Sequence, residues 1–362
     1  MKKIRVSLKD RSYDILIGSG LIKHSGRMLK KLGIGADAFI VTSRPIARLY
    51  AKTLCVSLHR SGISTHLSYI PDGEKAKNTK TAFALIRSLS DFDKRKRPFV
   101  IALGGGVTGD IAGFAASVYK RGIPYVQIPT TLLAQVDSAI GGKVAIDLPV
   151  AKNLVGAFYQ PRAVISDIST LKTLPARQVR NGLAEVIKYG VISDRPLFEF
   201  VEKNTARCAS LDGKALEFII ARSAAIKARI VEKDELDRKG LRAVLNYGHT
   251  IGHAIESASG YRKSYSHGEA ISVGMVAAAR IAVILGMLEA SDAARIEALI
   301  KKMGLPVRLK GISFRALRRS YIHDKKFIHG VNRFILPVKI GGVKIVEGIS
   351  DTAIKKTIEE LS

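Results

Sequence analysis

The histidines of this chain come in an arrangement that can do chemistry. His249 and His253 stand four residues apart in Asn246-Tyr247-Gly248-His249-Thr250-Ile251-Gly252-His253-Ala254-Ile255-Glu256, and His267 follows fourteen residues later in His267-Gly268-Glu269. Residues at i and i+4 of a helix share one face, so the first two imidazoles are aimed at one point, where a metal ion or an anion can be held. For the pair alone, a helix whose histidines merely pack or face water is the better reading. Three of the eight histidines fall within these nineteen residues, however, and a second feature upstream favours a ligand. The strand-like run Phe99-Val100-Ile101-Ala102-Leu103 leads into Gly104-Gly105-Gly106-Val107-Thr108-Gly109-Asp110, and a helical pattern follows from Ile111 to Tyr119. Gly104, Gly106 and Gly109 satisfy the G-x-G-x-x-G spacing in a strand-turn-helix context. Such glycines let backbone approach a pyrophosphate, whose charge is favoured at the helix N-terminus. Tight turns use glycine too, so the context carries the reading. The loop follows several strands rather than the first, which is not the ordinary dehydrogenase arrangement.

The elements that must position these groups change character along the chain. Tyr13-Asp14-Ile15-Leu16-Ile17, Ala38-Phe39-Ile40-Val41-Thr42 and Thr65-His66-Leu67-Ser68-Tyr69-Ile70 read as strands. Ile46 to Ser61, with Pro45 suited to the first turn and Gly62 to the end, and Thr79 to Ser90 read as helices between them. Strands separated by helices imply a mainly parallel, Rossmann-like sheet covered on both faces. After about residue 175 long helical periods dominate: 179–191, 215–233, 249–259, 269–285 and 293–303. The expected organisation is an α/β N-terminal domain over 1–174 and a mainly α-helical C-terminal domain over 175–362, with the boundary near Leu174-Pro175.

Bulk properties narrow the class. The chain has 362 residues, 47% of them hydrophobic and 25% charged, a soluble globular balance. Cys55 and Cys208 are the only cysteines and form no zinc spacing or disulfide framework, which suits a reducing cytoplasm. Met1-Lys2-Lys3-Ile4-Arg5-Val6 has no following apolar run of the signal-peptide kind. Ile271 to Met287 is broken by Arg280 and reads as a buried helix rather than a membrane span. The net charge of +28 could mean nucleic-acid binding. The basic residues are dispersed, however, without a basic helix run or aromatic interleaving. A solvated basic surface is the simpler reading, and a positive field would also draw in a small anionic substrate; charge alone does not separate these readings.

Further blocks give a family resemblance. Pro129-Thr130-Thr131-Leu132-Leu133-Ala134-Gln135-Val136-Asp137-Ser138-Ala139-Ile140-Gly141-Gly142-Lys143 is followed by Lys152-Asn153-Leu154-Val155-Gly156 and by Gly182-Leu183-Ala184-Glu185-Val186-Ile187-Lys188-Tyr189-Gly190. With the glycine loop and the histidine segment, in this order from about Gly73-Glu74 to Asp324-Lys325-Lys326, they resemble the 3-dehydroquinate synthases, within the wider sugar phosphate cyclases. The resemblance implies a zinc or cobalt ion on Glu185, His249 and His267, with His253 contacting substrate instead of metal. Spacing alone would have offered His249 and His253 as the ligand pair. It implies NAD near Glu74, Lys77, Gly105, Gly106, Val107, Asp110, Thr130, Thr131, Lys152 and Thr173, with Asp137 and Lys143 bordering that site. It places Asp137, Lys143, Asn153, Lys188, Lys227, Arg242, Asn246 and His253 around substrate, with Lys325 or Lys326 closing the site. Arg121 resembles the arginine that reaches the neighbour's phosphate in a homodimer, and the active site is implied in the cleft between the domains.

The implied substrate is 3-deoxy-D-arabino-heptulosonate 7-phosphate, a small anionic sugar phosphate; no nucleic acid or membrane partner is expected. Transient oxidation at C5 by NAD, phosphate elimination, return of the hydride and an intramolecular aldol closure would give 3-dehydroquinate. The chain departs from the family pattern after Thr42. The usual aspartate or asparagine that binds the adenosine ribose is replaced by Ser43-Arg44, where serine still suits NAD and arginine could meet a 2′-phosphate. Alternatives are the amino-substrate cyclases and the metal-dependent polyol or glycerol phosphate dehydrogenases.

Overall fold

The computed structural model describes residues 1–94, 97–259, 265–322 and 332–362, with side chains of residues 321 and 322 left aside. The chain divides into two compact units. The first holds Met1–Leu174 and Leu216–Leu236, and the second holds Pro175–Ala215 and Asp237–Ser362. This departs from the sequence expectation, which gave everything after residue 174 to the helical domain. The physical reason lies in the Gly213–Lys233 helix and the turn after it. Glu232 accepts from Ser7 N at 2.6 Å, Glu235 pairs with Arg11 at 2.9 Å and accepts from Gln160 at 3.2 Å, and Lys227 bonds Asp137.

The first unit is built on a seven-stranded sheet. Its strands are β1 (Lys2–Val6), β2 (Tyr13–Gly18), β3 (Asp37–Ser43), β4 (Ser64–Ile70), β5 (Pro98–Gly104), β6 (Tyr125–Pro129) and, after a separate antiparallel hairpin of β7 (Lys143–Leu148) and β8 (Ala151–Phe158), β9 (Ala163–Asp167). The order is β1-β2-β9-β6-β5-β3-β4, parallel apart from the β1–β2 pair. Both faces are covered, so the strands read as continuous apolar runs. In β3, Ala38 and Ile40 pack with Leu54 and Leu58 of the Arg44–His59 helix. Phe39 and Val41 pack on the other face with Leu85 and Leu89 of the Thr79–Phe92 helix and Ile111 of the Gly106–Val118 helix. Each such fully buried side chain contributes about 1.5–3 kcal/mol.

This topology explains the late glycine loop. From β3 the chain crosses outward to β4, whereas from β5 it crosses the other way to β6. Adjacent strands with diverging exits leave a crevice at their carboxyl ends, where ligands of open α/β sheets bind. Ser43 and Gly104 border that crevice because β3 and β5 are neighbours. The helix after the loop starts at Gly106, five residues before the expected Ile111, so its first N–H groups belong to the glycine run itself.

The second unit is mainly helical. Its longest helices are Ala176–Ser193 and His267–Ile284, and it carries one antiparallel hairpin, β10 (Arg333–Lys339) with β11 (Gly342–Glu347). His267–Ile284 is long and apolar enough to cross a membrane, but most of it is buried inside this unit as a core helix. The α/β unit with its mainly parallel sheet and the helical unit agree with the expected fold class.

Candidate active site

In the second unit, three helices meet at buried Glu185. They approach closely because glycines stand at the crossings. A Cβ on Gly274 would lie 2.0 Å from the carbonyl oxygen of Gly248, the residue that opens the His249–Ala258 helix. A Cβ on Gly268 would lie 2.6 Å from Asn181 Cα in the Ala176–Ser193 helix. The same junction is tied by Gly268 N donating to Asn181 Oδ1 at 2.7 Å and by an Arg177–Glu269 pair at 2.6 Å. Glu269 also closes a capping box with Ser266, fixing where the His267 helix begins.

The close packing sets His249 Nε2 3.5 Å and His267 Nε2 3.4 Å from Glu185 Oε1. Ligand atoms of Glu185, His249 and His267 all lie within 4.8 Å of one another. The other ring nitrogens are engaged elsewhere. His249 Nδ1 lies 3.0 Å from the Tyr247 carbonyl, and His267 Nδ1 lies 3.2 Å from Glu256 Oε2. Outer partners of this kind fix the tautomer and turn Nε2 towards a metal. Two imidazoles and a carboxylate suit zinc or cobalt and leave coordination positions for a substrate. Burial opposes the charged form of His267, but Glu185 and Glu256 outweigh it and raise the imidazole to about 10. A divalent cation among these ligands competes with that proton, so loading releases it.

Lys188, one turn from Glu185, pairs with the second oxygen of that carboxylate, and its ammonium lies 4.8 Å from the centre of the Tyr189 ring. His253 stands edge-on to His249, ring centres 5.2 Å apart. A second donor group of His253, Glu256 and His267 shares His267 with the first. Arg242 is buried in the turn Leu241–Asn246, which ends at Asn246 just before the His249 helix. Lys325 and Lys326 lie outside the described residues.

In the first unit the glycine loop, Thr130, Thr131 and Thr173 follow the carboxyl ends of their strands, whereas Arg121 lies in the loop that leads into β6. Gly105, Gly106 and Val107 open the helix after β5, and Asp110 lies in its second turn. Lys77 Nζ is 2.5 Å from Asp110 Oδ2 and also donates to Asn153 Oδ1 on β8. Burial pushes the Asp110 carboxyl up to about 6, against the pull of the Lys77 ammonium. Glu74, in the turn Glu74–Ala76, pairs with Lys152 at 3.6 Å. Thr130 follows β6 and donates its N–H to Gly104 O at 2.9 Å, and Thr131 Oγ1 accepts from Ala134 N at 3.2 Å. Asp137 sits in a π-helical turn, Ala134–Ser138, where Lys227 donates to its carboxylate and, at 2.8 Å, to its carbonyl oxygen. Lys143 starts β7, with its ammonium 5.8 Å from the centre of the Phe158 ring. Thr173 shares a hydroxyl contact with Tyr50. Arg121 is exposed in a loop whose Lys120 and Arg121 both have left-handed backbone, φ 49° and 66°.

A dinucleotide fits this arrangement. The hydroxyls of Ser43 and Thr130, at the carboxyl ends of β3 and β6, are buried without a hydrogen-bond partner among the described residues. Buried hydroxyls of that kind usually have a partner, and the polar edge of a ribose or pyrophosphate supplies one beside the glycine loop. Sequence reasoning missed Glu256, the carboxylate that orients His267. Its signal was available, since Glu256 is seven residues after His249 and three after His253, on the same helical face.

The chain as a whole has close relatives. Residues 67–181 match the family model described as 3-dehydroquinate synthase N-terminal, and residues 182–327 match its C-terminal model. The chain belongs to the 3-dehydroquinate synthase family. A 3-dehydroquinate synthase of Thermodesulfovibrio yellowstonii is 46% identical over 361 residues, covering 99% of this chain and 100% of that protein. Among solved structures, 2-epi-5-epi-valiolone synthase from Streptomyces hygroscopicus, with NAD+ and Zn2+ bound, is 28% identical with a TM-score of 0.89 over 98% of both chains. A 2-deoxy-scyllo-inosose synthase complexed with carbaglucose-6-phosphate, NAD+ and Co2+ matches with the same identity and TM-score over 100% of both. Sequence identity thus sets this chain with the 3-dehydroquinate synthases ahead of the other two cyclases.

Proposed function

We propose that this chain converts 3-deoxy-D-arabino-heptulosonate 7-phosphate to 3-dehydroquinate and phosphate, oxidising C5 and reducing it again within one turnover. The observation that carries this reading is the buried Glu185–His249–His267 donor set with both Nδ1 atoms held, in a chain 46% identical to a 3-dehydroquinate synthase over its whole length. When bound, NAD supplies the acceptor and donor of one hydride, and the zinc or cobalt ion supplies a Lewis acid for the C5 oxygen.

The chain's own residues bind and orient. Glu185, His249 and His267 hold the ion. Gly105, Gly106, Val107, Asp110, Glu74, Lys77, Thr130, Thr131, Lys152 and Thr173 hold the dinucleotide. Lys188, Arg242, Asn246 and His253, and by the family resemblance Asp137, Lys143, Asn153 and Lys227, are the residues assigned to the carboxylate, phosphate and hydroxyls of the substrate. Cationic side chains suit both anionic ends, arginine by its fork. Arg121 serves the phosphate site of the second protomer in a homodimer. Elimination and aldol closure need little beyond one enforced conformation, and the departing phosphate takes the proton. The protein works in the cytoplasm without nucleic acid or membrane, and its positive field draws the anionic substrate in.

The test is product formation followed by proton NMR with NAD present. Chelated protein should be silent, and added zinc or cobalt should restore 3-dehydroquinate. Accumulation of NADH with a polyol, and no 3-dehydroquinate, would place the chain with the dehydrogenases.

A further inference from the structure

The adenosine end of the dinucleotide site carries groups that ribose recognition alone leaves unused. Ser43 ends β3 and is the N-cap of the sixteen-residue Arg44–His59 helix. A serine there normally accepts a hydrogen bond from an N–H of the first turn. Here the cap has no side-chain hydrogen bond, and the Ser43 hydroxyl, 3% exposed, has no partner among the described residues. The first turn holds no acidic residue to complement the helix dipole. Instead it carries the exposed Arg44, with Arg48 one turn further on the same face. The Arg44 guanidinium lies 5.0 Å from the centre of the Tyr69 ring, and Tyr69 pairs with Thr42 across β3 and β4. That contact holds the cation beside the end of β3. Of the acidic residues just after β4, Glu74 is paired with Lys152 at 3.6 Å.

An acidic group at the end of such a strand selects a free ribose 2′-hydroxyl and repels a phosphate there, whereas an arginine nearby accommodates the phosphate. We infer that Ser43, Arg44 and the N-terminus of the Arg44–His59 helix form a subsite for a 2′-phosphate, so that this chain binds NADP as well as NAD. The inference rests on the dinucleotide reading of the glycine loop and deepens it at the adenosine end. Serine keeps the ribose contact that NAD needs, and arginine adds a charge-assisted, forked contact that only NADP uses.

The experiment is calorimetric titration of NAD and of NADP into the zinc-loaded full-length protein, for wild type, Arg44→Ala and Ser43→Asp. Thermal melts confirm that each variant is folded. For wild type, the NADP dissociation constant should fall within about tenfold of that for NAD. Arg44→Ala should weaken NADP about tenfold or more and NAD less than about threefold, the signature of a lost charge-assisted contact. Ser43→Asp should abolish the NADP binding that Arg44 supports while NAD still binds. NADP silent at millimolar concentration while NAD binds would overturn the inference. So would an Arg44→Ala loss equal for both dinucleotides, which would make Arg44 an adenine-stacking residue. Binding of neither dinucleotide would remove the dinucleotide reading itself, and the subsite with it.

Discussion

In the first unit, polar side chains meet at strand ends and turns: Lys77 donates to both Asp110 and Asn153, and Lys152 forms an ion pair with Glu74. In the second, the carboxylate of Glu185 is wholly buried between helices that touch through glycines, and each histidine facing it is held by a partner of its own. A loop-built site divides its binding among many contacts, so losing one leaves the others. A helix-built centre concentrates it on three donors whose positions depend on packing.

The sharpest way to break this contrast is Glu185→Gln, which keeps the shape and removes the charge. Metal content by mass spectrometry should fall well below one per chain, and turnover by about a thousandfold. Full metal occupancy with normal turnover would dissolve the proposed centre. Next, Gly274→Ala forces a methyl to 2.0 Å from the Gly248 carbonyl and should cost about 3 kcal/mol in urea denaturation. Gly106→Ala meets only the Ser138 hydroxyl, at 2.8 Å, and should cost under about 1 kcal/mol. Equal costs would erase the distinction between a helix crossing that meets backbone and a helix start that meets one side chain.

Glu256→Gln leaves all three donors in place and frees the orientation of His267. Metal affinity measured against a competing chelator should drop by about 10- to 100-fold. Lys77→Ala should weaken NAD about tenfold, with metal content unchanged, a result that calorimetry checks directly. The smallest effect is one of pH. Asp110 titrates near 6 in the folded chain, above its ordinary value near 3.8. The folded state therefore binds the proton more tightly. The stability this gives is full below pH 3.8 and is lost as pH rises through about 6. Asp110→Asn should remove that slope from denaturation curves between pH 4 and 7.

The parallel sheet was legible because both faces of its strands are covered, which leaves continuous apolar runs such as 99–103 between helical periods. The long helices were legible from their periodicity. The two hairpins were not. β8 exposes Leu154, Val155 and Phe158 and so shows no inward alternation, and β10 carries Pro337, where the register shifts before Lys339. The π-helical turn at Asp137 has no local signal, since it is set by tertiary packing. At the candidate site, the i,i+4 histidines marked one helical face, but spacing could not show that His267 lies beside Glu185. That placement comes from the chain's return through Gly268 against Asn181, a contact between residues 87 positions apart. The allocation of Leu216–Leu236 to the first unit rests on contacts of the same long range, Glu232 with Ser7 and Lys227 with Asp137.

Whether the oxidation at C5 is borrowed and returned is decided by counting phosphate released from 3-deoxy-D-arabino-heptulosonate 7-phosphate against NAD, with zinc-loaded protein and NAD far below substrate. Absorbance of NADH is followed in the same cuvette. The account predicts many phosphates per NAD and no lasting NADH. NADH rising in step with substrate consumed, or phosphate release that stops after one equivalent per NAD, would contradict it.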